Sequence, residues 1–260
     1  MPVDLTQFER GDPLGGDDSV SLAELQARLA QLQIAQIAHR QRSLIIFEGW
    51  TGSGKRDALK LLAASWDPCH LSTRCVGGGE SDDDERHWLA PFWSALPPAG
   101  DTTIFYRSWY SRLIDDRAAG RMEAKRWTRA CDEINEFEAQ QRDHGTLIVK
   151  LFFHISADTQ QQRMRERLAD PWRRHLIEAE PPPARDNRES TICALHDMFA
   201  QTDTRWAPWR VIDANDQQAA RIATLTILAE AFAKAMPSEP PALDETIIAF
   251  PHQKSAQASG

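Results

Sequence analysis

Four runs of consecutive apolar residues along the chain predict buried strands. They lie at 43–49, 102–108, 147–156 and 209–214, where near-continuous hydrophobicity is typical of strands covered on both faces. Apolar residues at helical spacing predict helices between them, near 56–66, 83–95, 123–142, 158–169, 187–201 and 215–235. A further amphipathic helix follows a capping box of Ser21 and Glu24. Because strands alternate with helices, we expect an α/β three-layer sandwich with a mostly parallel sheet.

The two ends of the chain differ from its middle in composition. Residues 1–20 are rich in Gly, Asp and Pro, and residues 237–260 are rich in Pro and Ser, so we predict a flexible segment at each end. The chain has 260 residues, of which 42% are hydrophobic and nine are tryptophan. This composition predicts one globular domain, at 21–236, between the flexible segments.

Charge and patterning exclude several classes of protein. No apolar run reaches the length of a membrane span and no secretory signal opens the chain, which favours a cytoplasmic protein without a membrane partner. Four scattered cysteines and eight histidines form neither a C-x-x-C pair nor an H-E-x-x-H motif, so a zinc site is not expected. The net charge of −8 argues against DNA or RNA as a partner, although a local basic groove can still hold a polyanion.

The first predicted strand runs into a glycine-rich loop, "EGWTGSGKR" at 48–56. The spacing G-x-x-x-x-G-K between an apolar strand and a helix is typical of a phosphate-binding loop, whose glycines let backbone amides converge on phosphate oxygens. The alternative is a chance glycine-rich turn with a surface lysine. Arg56 stands where such loops usually carry Ser or Thr for a metal ion. The candidate phosphate-binding residues are Gly49, Gly52, Ser53, Gly54, Lys55 and Arg56.

The second predicted strand continues into the most specific stretch of the chain, "IFYRSWYSRLIDDR" at 104–117. This stretch resembles the polyphosphate kinase 2 family, in which the strand typically runs into "FDRSWYNR" or a close variant. Similar stretches at 95–100, 133–138, 147–156, 161–171 and 202–216 extend the resemblance over most of the folded chain. The resemblance implies a P-loop kinase-like fold with a helical lid, here at about 77–100.

The family transfers a phosphoryl group between inorganic polyphosphate and a nucleoside mono- or diphosphate such as AMP, ADP or GDP, with Mg²⁺. The resemblance therefore implies a phosphotransferase of this kind, acting as a homo-oligomer. Lys55, Arg107 and Arg112 are the implied catalytic cations, and Arg117 joins the phosphate-binding set. A basic run then follows, which is either a track for a long anion or a solvated helix face; it comprises Arg117, Arg121, Lys125, Arg126 and Arg129.

Two positions depart from the family pattern at its metal site. The loop normally reads "GxDAAGK" and the second strand normally ends in Asp, whereas Thr51 and Tyr106 occupy these positions here. A phenol is a poor Mg²⁺ ligand at neutral pH, so the metal ligands stay open, with Glu48 and Asp116 as weak candidates. The departures favour an alternative function: a catalytically silent homologue that binds polyphosphate or nucleotide, or a regulatory partner subunit.

The predicted lid departs from the family pattern as well. Its first part, "GGGESDDDER" at 77–86, replaces a stretch that reads "KPT" in relatives. The acidic residues Asp82, Asp83 and Asp84 either act as substitute metal ligands or form the solvated start of a helix, where carboxylates are favoured.

Overall fold

Residues 3–13, 21–76, 86–175 and 188–242 are described by the structure, a computed structural model. Its strands are β1 Arg42–Gly49, β2 Leu71–Cys75, β3 Thr102–Tyr106, β4 Thr146–His154 and β5 Trp209–Asp213. They form one sheet in the order β2-β3-β1-β4-β5, and every pair of neighbouring strands is parallel. The predicted α/β architecture and all four predicted strands are confirmed.

Helices cover both faces of the sheet. Their bounds are α1 Leu22–Ala38, α2 Lys55–Ser65, α3 Ala90–Trp93, α4 Trp109–Ala118, α5 Ala124–Asp143, α6 Ala157–Ala169, α7 Arg188–Thr202 and α8 Gln217–Ala235. Helices α1, α2 and α8 pack together in one layer, and α4, α5 and α7 pack together in the other. The capping box predicted at Ser21 and Glu24 is present at the start of α1.

The central strand β1 determines where a ligand can reach the sheet. Its residues Leu44 to Phe47 are fully buried, as expected for a strand with helices on both faces. Strand β3 lies beside one edge of β1 and β4 beside the other, so the strand order reverses direction at β1. In parallel sheets of this kind, ligands bind beyond the carboxyl ends of the strands at such a reversal, which here is the loop after Gly49.

Some elements differ from the sequence prediction. Strand β2 was not predicted, because it lies at the edge of the sheet and four of its five residues are exposed. Helix α4 was not predicted as a separate element; it shortens the predicted strand 102–108, since β3 ends at Tyr106 and Ser108 already caps the helix. Of the helix predicted at 83–95, residues 83–85 lie outside the described part, and only Ala90–Trp93 of the remainder is helical.

Part of the predicted lid packs against the body of the protein. Leu89 and Phe92 are buried, and Phe92 contacts the rings of Phe105 and Trp109. The acidic stretch of the predicted lid, including Asp82, Asp83 and Asp84, lies outside the described residues. Movement of this segment as a lid stays a prediction.

The two predicted flexible ends also contact the domain where they are described. Leu5 is buried in a short 3₁₀ helix, Leu5–Phe8, and the Gly11 amide donates to Asp213. Beyond α8, the Glu239 carbonyl is hydrogen-bonded to the His39 ring. Residues 14–20 and 243–260 lie outside the described part, and the predicted flexibility of the ends stays untested.

A charged pair is fully buried between α5 and β4. Lys150 Nζ lies 3.0 Å from Glu138 Oε2, and it also donates to the Thr202 carbonyl at 2.7 Å. Tyr110 donates its hydroxyl to the other Glu138 oxygen at 2.6 Å. Each charge is therefore compensated, which a buried ion pair requires if it is not to destabilise the fold.

Among the helices that the structure describes, none combines the length and the apolar composition needed to cross a bilayer.

Candidate active site

The loop between β1 and α2 has the backbone that a phosphate-binding loop requires. Gly49 has φ 137°, and a Cβ at this position would lie 2.4 Å from the Phe153 carbonyl oxygen, so only glycine fits. Gly54 has φ 86° and immediately precedes Lys55, the first residue of α2. The loop therefore ends on the amino end of a helix, where unpaired amides and the helix dipole favour an anion.

The loop lysine is buried and held by its own loop. Lys55 is 4% exposed, and its ammonium group donates to the Trp50 carbonyl at 3.2 Å. The ring of Tyr106 lies against two cations, with Lys55 Nζ and the Arg56 guanidinium each 5.2 Å from its centroid. The aromatic face thus holds two positive charges together at the start of α2.

A cationic groove of about 90 Å³ opens beside the loop. Besides the loop residues and Tyr106, its lining combines six cationic side chains with two acidic ones. The cations are Lys55, Arg56, Lys60, Arg163, Arg167 and Arg173, and the acids are Asp57 and Glu166. Of the cations, four were not predicted as site residues from the sequence: Lys60, Arg163, Arg167 and Arg173. The four-residue spacing of Arg163 and Arg167 on α6 is the signal that identifies one cationic helix face.

Two side chains of α6 hold the loop carbonyls. Gln160 donates to the Thr51 carbonyl at 3.1 Å, and Arg163 donates to the Gly52 carbonyl at 3.2 Å. Arg163 also donates to the carbonyls of Ala214 and Asn215 after β5. Helix α6 therefore fixes the loop backbone through two of its carbonyls.

Arg107 is held at the end of β3 by an unusual backbone conformation. Its φ is 64°, which is rare for a residue other than glycine, and its amide donates to the Phe47 carbonyl. The next residue, Ser108, donates both its amide and its hydroxyl to Glu48, at 2.7 and 2.8 Å. Ser111 also donates to the Glu48 carboxylate at 2.9 Å. Glu48 thereby connects β1 to the turn that carries Arg107.

The surroundings of Glu48 shift the pKa of its carboxyl group. Burial raises the pKa of the Glu48 carboxyl, while the positive charge of Arg107 and the hydrogen bonds from Ser108 and Ser111 oppose that rise. Burial also raises the pKa of Asp115, again against the attraction of Arg107. For both carboxyls, the charged form is therefore stabilised by these protein partners and not by water.

A second and larger cavity, of about 900 Å³, is lined by residues of β3, α3 and α4. Its wall is apolar and aromatic at Val76, Trp88, Phe92, Phe105 and Met122, and it is cationic at Arg74, Arg107, Arg112, Arg121 and Arg126. We call this cavity the cleft, and we call the smaller one beside the loop the groove.

Three of the cleft arginines are paired with carboxylates. Arg107 donates to Asp115 at 2.7 Å. Asp116 lies between two arginines, with Arg121 at 2.9 Å and Arg112 at 3.6 Å. The cleft therefore combines fixed positive charge with an apolar wall, as a nucleotide site requires.

The residues of the predicted cationic track differ in their contacts. Arg121 and Arg126 line the cleft, whereas Arg117 lines neither cavity. Arg117 instead donates to Asp197 at 2.9 Å and lies over the Trp127 ring, and Arg129 donates to Glu133 at 3.0 Å. These contacts favour a structural role for Arg117 over its predicted phosphate contact.

Comparison with known proteins identifies the family and the fold. The sequence model of the family described as Polyphosphate kinase 2 (PPK2) matches residues 16–240. The chain belongs to the polyphosphate kinase 2 family. The crystal structure of Polyphosphate Kinase 2 from Arthrobacter aurescens TC1 superimposes with a TM-score of 0.78 at 26% identity, covering 94% of this chain and 93% of that one. The P-loop kinase-like fold implied by the sequence resemblance is thereby confirmed.

The names of curated relatives in the polyphosphate kinase 2 family include three different nucleotides: AMP, ADP and GDP. The polyphosphate:AMP phosphotransferase of Pseudomonas aeruginosa is 35% identical over 211 residues, which are 81% of this chain and 42% of that protein. The GDP-polyphosphate phosphotransferase of Mycolicibacterium smegmatis is 32% identical over 76% of this chain and 70% of that protein. The ADP-polyphosphate phosphotransferase 2 of Rhizobium meliloti is 29% identical over 78% and 66%. The chain spans less than half the length of the polyphosphate:AMP phosphotransferases it matches.

The described residues do not fit the Mg²⁺ that the polyphosphate kinase 2 resemblance implies. Tyr106, at one expected ligand position, presents its ring to two cations, and a positively charged neighbourhood repels a metal ion. Glu48 is enclosed by serine donors and Asp116 by two arginines, so the two weak candidates are already engaged. No cluster of three or more His, Cys, Asp or Glu able to hold a metal is found among the residues that the structure describes.

Proposed function

We propose that this protein transfers a phosphoryl group between inorganic polyphosphate and a nucleoside mono- or diphosphate. The observation that carries the proposal is that Tyr106 and Arg107, neighbours in the chain, line the groove and the cleft respectively. Two anion sites therefore meet at the end of β3, as transfer between a phosphate donor and a phosphate acceptor requires.

The groove is the proposed polyphosphate site. A polyphosphate chain carries negative charge at every phosphate, and six cationic side chains against two acidic ones give the groove a net positive charge in an acidic protein. The loop amides and Lys55 would contact the phosphoryl group to be transferred. The arginines of α6 would contact the phosphates beside it, since a guanidinium fork grips phosphate oxygens.

The cleft is the proposed nucleotide site. Aromatic side chains such as Trp88 and Phe92 offer a surface for a base, and Arg107 and Arg112 in the same wall offer cations for the phosphates. The names of the relatives support AMP, ADP or GDP as acceptors.

In the transfer, one phosphoanhydride P–O bond of polyphosphate breaks and a P–O bond to a terminal phosphate oxygen of the nucleotide forms. The side chains proposed to act are the catalytic cations Lys55, Arg107 and Arg112. They would bring two anions together, orient them in line and compensate the negative charge that develops on the transferred group. No step is assigned to a metal ion, because the described residues do not fit one.

The alternative function, a silent homologue that binds polyphosphate or nucleotide, is favoured by one observation. Tyr106 and Thr51 replace the two carboxylates of the family pattern, while the cations that bind phosphate are retained. A role as a regulatory partner subunit belongs to the same alternative. A cytoplasmic location and a homo-oligomer also stay proposals; sedimentation of the purified protein tests the latter.

The experiment that separates these functions measures binding and turnover on the same preparation. Calorimetry gives the affinity for polyphosphate and for AMP, ADP and GDP, and a phosphorylation assay follows each nucleotide with and without added Mg²⁺. Lys55→Ala is expected to weaken polyphosphate binding by about 1.5–3 kcal/mol, the value of a charge-assisted contact. Lys234→Ala, which removes an exposed charge at the end of α8, is the matched control.

Turnover that Lys55→Ala abolishes supports the phosphotransferase. Tight binding of both ligands without turnover supports the silent homologue. Unchanged polyphosphate affinity in Lys55→Ala contradicts the proposed groove.

A further inference from the structure

The segment before the domain contacts the strand end next to the phosphate loop. Leu5 is buried, and Asp4 caps the 3₁₀ helix that carries it by accepting from the Thr6 amide. Farther along, the Gly11 amide donates to Asp213 at the end of β5 at 2.6 Å. We call residues 3–13 the N-terminal segment. Both ends of this segment are therefore fixed to the body of the protein, with Glu9 between them.

Glu9 is the first group of a hydrogen-bond chain that ends in the phosphate loop. Its Oε1 lies 2.9 Å from His154 Nε2, and the Trp50 indole donates to His154 Nδ1 at 2.9 Å. An indole N–H can only donate, so Nδ1 must be the unprotonated nitrogen. The proton of the neutral ring is then on Nε2 and is donated to Glu9. The two neighbours of His154 thus select one tautomer.

Trp50 is the point at which this chain reaches the ligand-binding groups. Its backbone carbonyl accepts from Lys55 Nζ at 3.2 Å. Its ring is covered by the Arg188 guanidinium, 4.1 Å from the centroid. Arg188 also donates to Gln160 at 2.8 Å, and Gln160 holds the Thr51 carbonyl. A change in the position of Trp50 therefore moves both the loop backbone and the lysine that it holds.

We propose that Glu9 and His154 are positioning residues for the phosphate loop, through which the N-terminal segment holds Trp50, and with it Lys55, in place. The inference rests on the proposed function, since it takes the loop as the polyphosphate site. It goes beyond that function by making the N-terminal segment part of the site. It also explains why a large aromatic residue is accommodated in a loop otherwise built of small residues.

Four substitutions test the individual hydrogen bonds between Glu9, His154 and Trp50. Glu9→Ala removes the first acceptor, and Trp50→Phe keeps a ring for Arg188 but removes the donor to His154. His154→Asn retains a polar group near Nδ1 and loses the link to Glu9. His154→Gln retains one near Nε2 and loses the link to Trp50. The matched control is His39→Asn, because the His39 ring is hydrogen-bonded to the Glu239 carbonyl and His39 does not line the groove.

The measurement is the affinity for inorganic tripolyphosphate by calorimetry, with Lys55→Ala run in parallel and with urea unfolding of every variant. Each of the four variants is expected to bind tripolyphosphate about 5–10-fold more weakly, the effect of one lost hydrogen bond. His39→Asn is expected to bind as the unmodified protein does, and the affinity for nucleotide is expected to stay unchanged throughout. Glu9 is partly exposed, so Glu9→Ala tests the link even where a buried substitution fails to fold.

The pH dependence of the affinity for tripolyphosphate is a second measurement, which a mere loss of packing would not change. Protonation of His154 puts a hydrogen on Nδ1 opposite the Trp50 N–H, so the affinity for tripolyphosphate is expected to fall in acid. The groups facing the ring are Glu9, Arg188, Trp50 and Asp213. In His154→Asn that part of the pH dependence is expected to disappear.

The outcomes separate this inference from the function on which it rests. If Lys55→Ala weakens binding but Glu9→Ala and Trp50→Phe do not, the positioning role is wrong and the groove stands. If Lys55→Ala has no effect either, the groove itself is wrong and the inference is overturned with it. Weakened binding in all four variants, with the pH dependence lost in His154→Asn, supports the positioning role.

Discussion

Replacing Glu48 tests how the turn after β3 is built. The Glu48 carboxylate accepts from the Ser108 amide, the Ser108 hydroxyl and the Ser111 hydroxyl, all within 2.7–2.9 Å and all buried. Glu48→Ala leaves these three donors without their acceptor. The amide cannot turn to another partner, so its loss costs about 1.5–3 kcal/mol, and each hydroxyl adds about 1 kcal/mol. We expect a loss of about 3–5 kcal/mol in the free energy of unfolding.

Glu48→Gln is the matched control. Its amide oxygen can accept the same hydrogen bonds, and its amino group can donate to Ser111, because a hydroxyl also accepts. Only the attraction between the negative charge and Arg107 is lost, and burial already disfavours that charge. We therefore expect Glu48→Gln to lose about 1 kcal/mol.

Urea unfolding followed by circular dichroism measures both variants. With a slope of about 2–3 kcal/mol/M, a loss of about 4 kcal/mol shifts the midpoint of Glu48→Ala down by about 1–2 M. Nucleotide affinity should fall in Glu48→Ala, since the turn that orients Arg107 is no longer held. A midpoint for Glu48→Ala within about 0.3 M of the unmodified protein, at an unchanged slope, would refute this account of the turn.

Three further predictions concern charges elsewhere. Lys150→Met leaves Glu138 buried without its partner and should cost about 3–5 kcal/mol in urea unfolding; a change below about 1 kcal/mol would contradict the compensated pair. Thr51→Asp with Tyr106→Asp should create calorimetrically measurable Mg²⁺ binding that neither single variant matches, and an equal heat in the unmodified protein would show that other ligands suffice. Burial lowers the pKa of His154 below its ordinary value of 6.5, so the unfolded state binds the proton first and stability should fall as the pH drops below about 6.5. Unfolding midpoints from pH 8 to pH 5 check this, and an identical decline in His154→Asn would exclude the imidazole as its source.

The strands of the sheet could be predicted from the sequence only where their burial produces a clear hydrophobic pattern. Strand β1 is apolar throughout because helices cover both of its faces. Strand β2, "LSTRC", has one partly buried residue followed by four exposed ones, so its hydrophobic pattern carries no signal. The edge position that defines it is a property of the assembled sheet.

The site was predictable in its local part only. The glycines and Lys55 lie within seven residues and follow from the loop spacing. The partners that hold the loop come from distant parts of the chain: Trp50 and His154 are separated by 104 residues, and His154 and Glu9 by 145. Periodicity reports the neighbours of a residue along one helix or strand and does not report such contacts. The hydrogen bond from Arg117 to Asp197, 80 residues away, was likewise not predicted, and the phosphate contact that the family resemblance implies for Arg117 stays a prediction.

The carboxylates of the cleft act as built-in counterions. Asp115 is paired with Arg107, and Asp116 lies between Arg112 and Arg121. A small anion that meets one of these three arginines must displace a carboxylate that is tethered beside it. The tethered carboxylate has an effective concentration in the millimolar range or higher. A dissolved monovalent anion therefore competes with it only at a comparable or higher concentration. An anion that spans several arginines displaces the carboxylates together and regains a contact for each one. We therefore expect the cleft to discriminate between ligands by their number of charges, so that multivalent anions bind in preference to simple salt ions.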